Sequence, residues 1–291
     1  MRKRKYRINL FYIPAMVLIL LFVIYPLGNA IYISLIKWNG YSQTKEFIGI
    51  SNYIALLNDA NFRTAFFNTI LYGFGCTILQ NILGLAFALF LNSKFKGRTI
   101  VRTVIYLPAI ISGLVMGYIM YFFFQYRNGV VNELLSFIGI AGQDWMSVGM
   151  QAKIIMAVIN VWQFVGLSMV IYLAGLQGIP QGYYEAAAID GANKWKQFTN
   201  ITLPLLNPAM ASAVLINLIG GLKLFDIIKA MTDGGPGFST HSLATYLTNQ
   251  YFDAERAGYA GAVGVFLFVF IMLVAFILNA YFRHREKEVE M

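Results

Sequence analysis

The chain has 291 residues, 58% of them apolar and 12% charged, with a mean hydropathy of +0.63. Soluble domains carry about 25% charged residues, so this composition excludes a disordered chain and argues against a soluble globular enzyme. The net charge of +9, from 22 Lys and Arg against 13 Asp and Glu, would suit nucleic acid, whereas the single cysteine, Cys76, excludes an internal disulfide framework and any Cys-based zinc site.

Charges are missing from six long stretches: 8–36, 64–93, 103–126, 154–184, 197–222 and 257–282. A membrane helix needs about 20 apolar residues to cross about 30 Å of hydrocarbon. Each stretch is long enough and apolar at its centre. Six transmembrane helices are therefore predicted over roughly 10–36, 66–93, 103–126, 154–177, 205–228 and 259–282, in a single all-α membrane domain spanning 1–291. The apolar runs are continuous rather than alternating, which excludes a β-barrel.

The first stretch follows Arg2-Lys3-Arg4-Lys5 and resembles a signal peptide, with Gly28-Asn29-Ala30 as a cleavage site. A signal's apolar core is usually about 7–15 residues, and this run is about twice that, so it reads as an uncleaved anchor. Cys76, in the second stretch, reads as a buried inert thiol. The connection around 94–102 is short and basic. The connections 37–63, 127–153 and 223–256 hold little that could fold separately. Within the last of these, the uncharged gap 234–252 is rich in Gly, Ser and Thr and reads as a loop. Asp233-Gly234-Gly235-Pro236 reads as a tight turn. It has neither the lysine nor the following helix of a phosphate-binding loop.

Alternate connections differ in charge. The N-terminus (Arg2, Lys3, Arg4, Lys5, Arg7), the second connection (Lys94, Lys96, Arg98, Arg102), the fourth (Lys194, Lys196) and the tail (Arg283, Arg285, Lys287) carry fourteen positive charges. Only five acids share that side: Glu185, Asp190, Glu286, Glu288 and Glu290. The other side holds eight of each sign. The whole excess therefore lies on one face, which places both termini in the cytoplasm. It reads as a topology signal and a contact for anionic lipid, not a nucleic-acid footprint.

The fourth connection, 178–204, is organised. It opens with Ile179-Pro180, continues as YYEAAAIDGANKWKQF, and closes with Ile201, Leu203 and Pro204. Good helix formers interrupted by Gly191 predict two short helices joined at that glycine. A partly apolar helix on a soluble face needs a partner for its exposed side. Trp195 reads as an interfacial anchor.

Glu185-Ala186-Ala187, then Gly191, then Ile201 and Leu203-Pro204, at these spacings, resembles the EAA motif of ABC importer permeases. The stretches IPAMVLILLFVIYPLGNAIYISL, FIGISNY (47–53), YLPAIIS (106–112), AGLQGIP (174–180) and MTDGGPG (231–237) are similar to the MalF/UgpA-like permeases of binding-protein-dependent sugar importers. The resemblance runs through nearly the whole chain. It implies a type I importer permease fold with a cytoplasmic coupling helix that docks on an ATPase subunit. The implied coupling residues are Glu185, Ala186, Ala187, Asp190, Gly191 and Ala192. Gly191 allows the turn, the alanines allow close approach, and Ile201, Leu203 and Pro204 set the exit into the fifth helix. The implied partners are a second homologous permease, two ATPase subunits that bind ATP and Mg, an extracellular solute-binding protein, the sugar and membrane lipid. No cofactor is implied on this chain. The implied location is a bacterial plasma membrane.

Helices four and five line the sugar passage in that family, which makes Gly113, Asn160, Gln163, Phe164, Gly220, Gly221 and Leu224 the passage candidates. Asn160 and Gln163 share one helix face, and Asn217 and Lys223 lie on helix five. Amides and glycines also mediate plain helix packing in membranes, the commoner role for Gly220 and Gly221. No nucleophile–base pair or metal cluster is present, and His241 and His284 are isolated, so an enzyme is not expected. A stand-alone secondary carrier would need an ion-coupling charge within a span. A permease for glycerol phosphate or a polyamine is weakened because only Lys223, Lys229 and Asp226 come near the passage.

Overall fold

The computed structural model describes residues 12–290, with side chains as far as Glu286. The N-terminal cations Arg2, Lys3, Arg4, Lys5 and Arg7, the expected start of the first helix at residue 10, and the side chains of Lys287, Glu288 and Glu290 lie outside that description.

Five helical segments are long and apolar enough to cross a membrane. These are α1 (Tyr12–Ser34), α3 (Ala60–Asn92), α7 (Gly149–Gly178), the segment Asn207–Met231, and α13 (Ala257–Glu290). The sixth expected span, 103–126, is not one straight helix. It is a pair, α4 (Arg98–Ile110) and α5 (Gly113–Phe124), bent by 96° at the join. Pro108 has no N–H to continue the ladder. Ile111 and Ser112 are extended, and the Ser112 hydroxyl caps α5 by accepting from the Val115 N–H at 3.4 Å. Counted as one span, the pair makes six.

Two other expectations need correction. The fifth helix, expected over 205–228, stops as α10 (Asn207–Leu222), and the chain restarts as α11 (Asp226–Met231). The backbone leaves helical geometry between them, at Lys223 (φ −99°, ψ 14°) and Phe225 (φ −130°, ψ −57°). The loop expected over 234–252 contains α12 (Leu243–Thr248) and a π-helical turn, Asn249–Asp253. The fold is otherwise all-α as expected, apart from a two-residue antiparallel ladder between β1 (Ile36–Lys37) and β2 (Glu46–Phe47).

The described residues form two compact units. One holds the chain as far as Asp59 together with Leu247–Leu267. Here Asn52, on α2 (Ser51–Asn58), donates to the Ser34 and Ile36 carbonyls at 2.9 and 3.0 Å, bonding backbone freed at the end of α1. The other unit holds Ala60–Tyr246 and the remainder of α13. Its centre is the long pair α3 and α7, packed closely enough that a Cβ at Gly84 would stand 2.5 Å from the Ser168 Cβ. Two apolar clusters flank that contact. One gathers Tyr72, Met116, Met156, Ile159, Ile227 and Ile228; the other gathers Leu91, Met169, Tyr172, Leu173, Leu176 and Leu206. Outward-facing apolar residues such as Phe22, Ile82 and Phe276 stay exposed, as a hydrocarbon solvent allows.

Candidate functional site

Polar side chains are buried where α3, α7 and α10 meet. Gln80 on α3 donates to the Asn160 carbonyl and side-chain oxygen at 3.1 and 3.0 Å. Tyr172 donates to Asn81 at 2.7 Å, and Asn217 on α10 donates to Ser168 at 2.5 Å. Each bond joins two helices, and in a membrane such bonds contribute about 0.6–2 kcal/mol apiece. Gln163 serves a different end. Its side-chain N–H donates at 2.9 Å to the Ile111 carbonyl, a group left free where α4 breaks from α5.

Beside this network lies a cavity of about 250 Å³. Both helix breaks open onto it. Gly113 begins α5 on one wall, and Lys223, Leu224, Phe225 and Asp226 form the interruption between α10 and α11 on another. A Cβ at Gly113 would stand 2.5 Å from the Asp226 carboxylate, so a side chain there would displace the acid. All seven passage candidates, Gly113, Asn160, Gln163, Phe164, Gly220, Gly221 and Leu224, line this cavity. Gln80 and Gln163 are buried to within 2% of full, and the Oε1 of each is sealed from solvent, without a hydrogen-bond partner among the described residues. The cavity is lined by amide side chains, a carboxylate and a lysine, with the aromatic walls Phe164 and Phe225. Hydroxyl groups on an apolar ring would complement it.

Sequence reasoning missed Gln80 and Phe225 as cavity residues, and placed Asp226 near the passage without its neighbour Gly113. Gln80-Asn81 inside an uncharged run was the available signal, since amides in lipid must find partners. The closeness of Asp226 to Gly113 gave none, because nothing local tells that the chain bends back there.

The six coupling candidates fall together elsewhere. Glu185, Ala186 and Ala187 lie on α8 (Gln181–Ile189), and Asp190 ends it. Gly191 has φ +78°. The Gly191 N–H bonds the Ala188 carbonyl at 3.1 Å and the Ala192 N–H bonds the Ala187 carbonyl at 2.8 Å, a Schellman closure that needs a left-handed residue at position 191. Asn193 then caps α9 (Lys194–Gln197) by accepting from Lys196 N–H at 2.9 Å. The Tyr184 and Thr202 hydroxyls meet at 2.9 Å and tie α8 to the approach of α10. Glu185 and Asp190 are exposed, and so are Tyr183, Trp195 and Ile189, the last at 87%. Large apolar side chains thus stand uncovered on both short helices of a well-fixed segment.

Residues 80–288 match the family described as binding-protein-dependent transport system inner membrane component. The chain is 34% identical over 260 residues to the trehalose/maltose transport system permease protein MalF of Thermococcus litoralis, covering 89% of this chain and 88% of that protein. It is 34% identical over 267 residues to the multiple sugar-binding transport system permease protein MsmF of Streptococcus mutans, covering 91% of each. Among solved structures it is similar to a chain of a bacterial ABC transporter involved in the import of the acidic polysaccharide alginate, with a TM-score of 0.81 and 26% identity over 94% of both chains. A second structure of a bacterial alginate ABC transporter, in complex with an alginate pentasaccharide-bound periplasmic protein, gives 0.82 and 25% over 95% of this chain and 94% of that one.

Proposed function

The chain belongs to the family of binding-protein-dependent transport system inner membrane components, and from that premise we propose that it moves a sugar or oligosaccharide into the cytoplasm as one permease subunit of an ATP-driven importer. The observation that carries the substrate class is a cavity lined by amides (Asn160, Asn217), a lysine and a carboxylate (Lys223, Asp226) and the aromatic walls Phe164 and Phe225. Such groups bond sugar hydroxyls while the apolar ring face lies on the aromatic walls, and so few polar contacts hold a sugar in passage without binding so tightly as to stall. The volume is near the lower limit of ordinary small-molecule sites, about 300 Å³, so it holds part of an oligosaccharide and a second, homologous permease supplies the rest.

The chain carries no chemistry of its own. Two ATPase subunits bind ATP and Mg and press on α8 through Glu185, Ala186, Ala187, Asp190, Gly191 and Ala192. Their closure turns the cavity outward to take sugar from an extracellular binding protein, and hydrolysis turns it back. The basic connections face the cytoplasm, in a bacterial plasma membrane.

The test is affinity purification of the tagged chain from its host's membranes, followed by uptake in reconstituted vesicles. An ATPase, a second permease and ATP-dependent uptake of a glycan, lost in Q80L and Q163L, are expected. A chain that purifies alone, even after mild cross-linking, overturns the reading.

A further inference from the structure

The turn between α3 and α4 carries Lys94, Lys96, Arg98 and Arg102, while the nearest acids in sequence are Asp59 and Glu133. Lys94, Lys96 and Arg98 are exposed. Gly97, at φ +89°, reverses the chain into α4. That helix has three stripes. Val101 and Ile105 pack inward against the Leu91–Tyr172 cluster. Ile100, Val104 and Leu107 form an apolar stripe at helical spacing, 69, 64 and 54% exposed. Arg98 and Arg102, one turn apart, form the third. Phe90, 57% exposed at the end of α3, adds to the outward apolar surface near the turn. The cations therefore sit at the rim of a lipid-facing belt, where hydrocarbon gives way to headgroups. Arg102 is half-buried, and its Nε is sealed from solvent with no acceptor among the described residues.

We propose that this turn binds the phosphate of an anionic phospholipid, with Arg102 as the deepest contact and Lys94, Lys96 and Arg98 around it. A guanidinium at membrane depth requires a partner, and a lipid phosphate is the acceptor available there. The adjoining apolar stripe favours a lipid over a free anion, because acyl chains cover it. The phospholipid belongs to the inner leaflet, an assignment that rests on the cytoplasmic orientation proposed above. Occupancy steadies the arm of α4 that leads to the break at Ile111, so bound lipid acts on the same broken span that lines the cavity.

The test uses the full chain with its co-purifying partners, delipidated in detergent and titrated in parallel with phosphatidylglycerol and phosphatidylcholine, with bound lipid counted by native mass spectrometry. Phosphatidylglycerol is expected to bind more than about a hundredfold tighter. R102Q should lower that preference by about fivefold, and K94Q/K96Q/R98Q by about fivefold for each cation removed. The triple variant changes only exposed side chains, so it carries the test should R102Q fail to fold. Equal binding of the two lipids overturns the proposal. So does a preference that survives the triple variant, and so does displacement of the lipid by millimolar inorganic phosphate. Labelling of S93C by an impermeant maleimide in sealed vesicles of known orientation reports the face independently. Labelling from outside overturns the leaflet assignment, while the titration alone judges the lipid site.

Discussion

Gly221 on α10 lies backbone to backbone against α3: a Cβ at Gly221 would stand 2.9 Å from the Gly73 Cα and 2.9 Å from the Tyr72 carbonyl oxygen. Its neighbour Gly220 has nothing within 4 Å of the equivalent position, although both line the cavity. Two adjacent glycines thus do different things. Gly221→Val should cost about 1–3 kcal/mol by overpacking and lower the melting temperature in detergent. Gly220→Val should melt like the wild type and instead reduce uptake by filling the cavity. Equal melting of the two variants would refute this division.

Gln163 bridges a break, so its loss should be felt first as instability. Gln163→Leu leaves the Ile111 carbonyl without its donor, at about 1–3 kcal/mol for a buried group. Gln163→Glu at neutral pH is worse, since an ionised carboxylate accepts where the Ile111 oxygen also accepts. A melting series that ranks wild type above Leu above Glu supports the bridge; unchanged melting of Gln163→Leu removes it.

At the α8 turn, chain geometry and partner contact separate cleanly. Gly191 has open space around it, so only its φ of +78° opposes a side chain. Gly191→Ala should therefore cost about 1 kcal/mol and keep partial transport. Gly191→Pro, which cannot adopt a positive φ, should abolish coupled uptake with membrane insertion intact. Glu185→Lys, on an exposed position with no fold to disturb, should do the same. Normal ATP-dependent uptake in either of the last two would exclude a coupling role for this segment.

A fourth prediction concerns the 232–243 segment. Asn68 on α3 donates to the Ser239 and His241 carbonyls at 2.7 and 2.9 Å, and accepts from Lys153 at 3.1 Å. Thr69 accepts from the Leu243 N–H at 2.8 Å. Asn68→Ala should loosen the segment and open it to limited proteolysis near Phe238, while Thr64→Ala, a half-buried control whose hydroxyl bonds the Ala60 carbonyl of its own helix, should not. Equal cleavage in both variants would show that the segment is held by something else.

Charge-free runs located α1, α3, α7 and α13 well, because lipid permits no other economical use of so many apolar residues in a row. Direction was harder. The run 103–126 reads as one span because hydropathy averages over Pro108 and Ser112 without registering a 96° bend. The fifth uncharged run ends at 222, where α10 also ends, and the interruption at 223–225 followed by α11 has no signature in a count of charges. The seven passage candidates converge on one cavity, but the resemblance, not their chemistry, had selected them. Gln80 becomes visible only with Asn160 placed beside it, and Asp226, legible as a charge near the passage, gains its neighbour Gly113 only in three dimensions. The turn at Gly191 was legible from local rules alone, since a Schellman closure depends on residues within one turn.

Among elements bordering the cavity, α7 is a single α-helix of thirty residues, about 45 Å from Gly149 to Gly178, whereas α3 carries a π-helical turn at Leu71–Gly75. At one end a Cβ on Gly149 would collide with Ser239; at the other the chain passes through the extended pair Ile179-Pro180 into α8. A helix without a break carries a tilt from one end to the other, so the cavity residues Asn160, Gln163 and Phe164 move with the foot of α7 rather than independently of it.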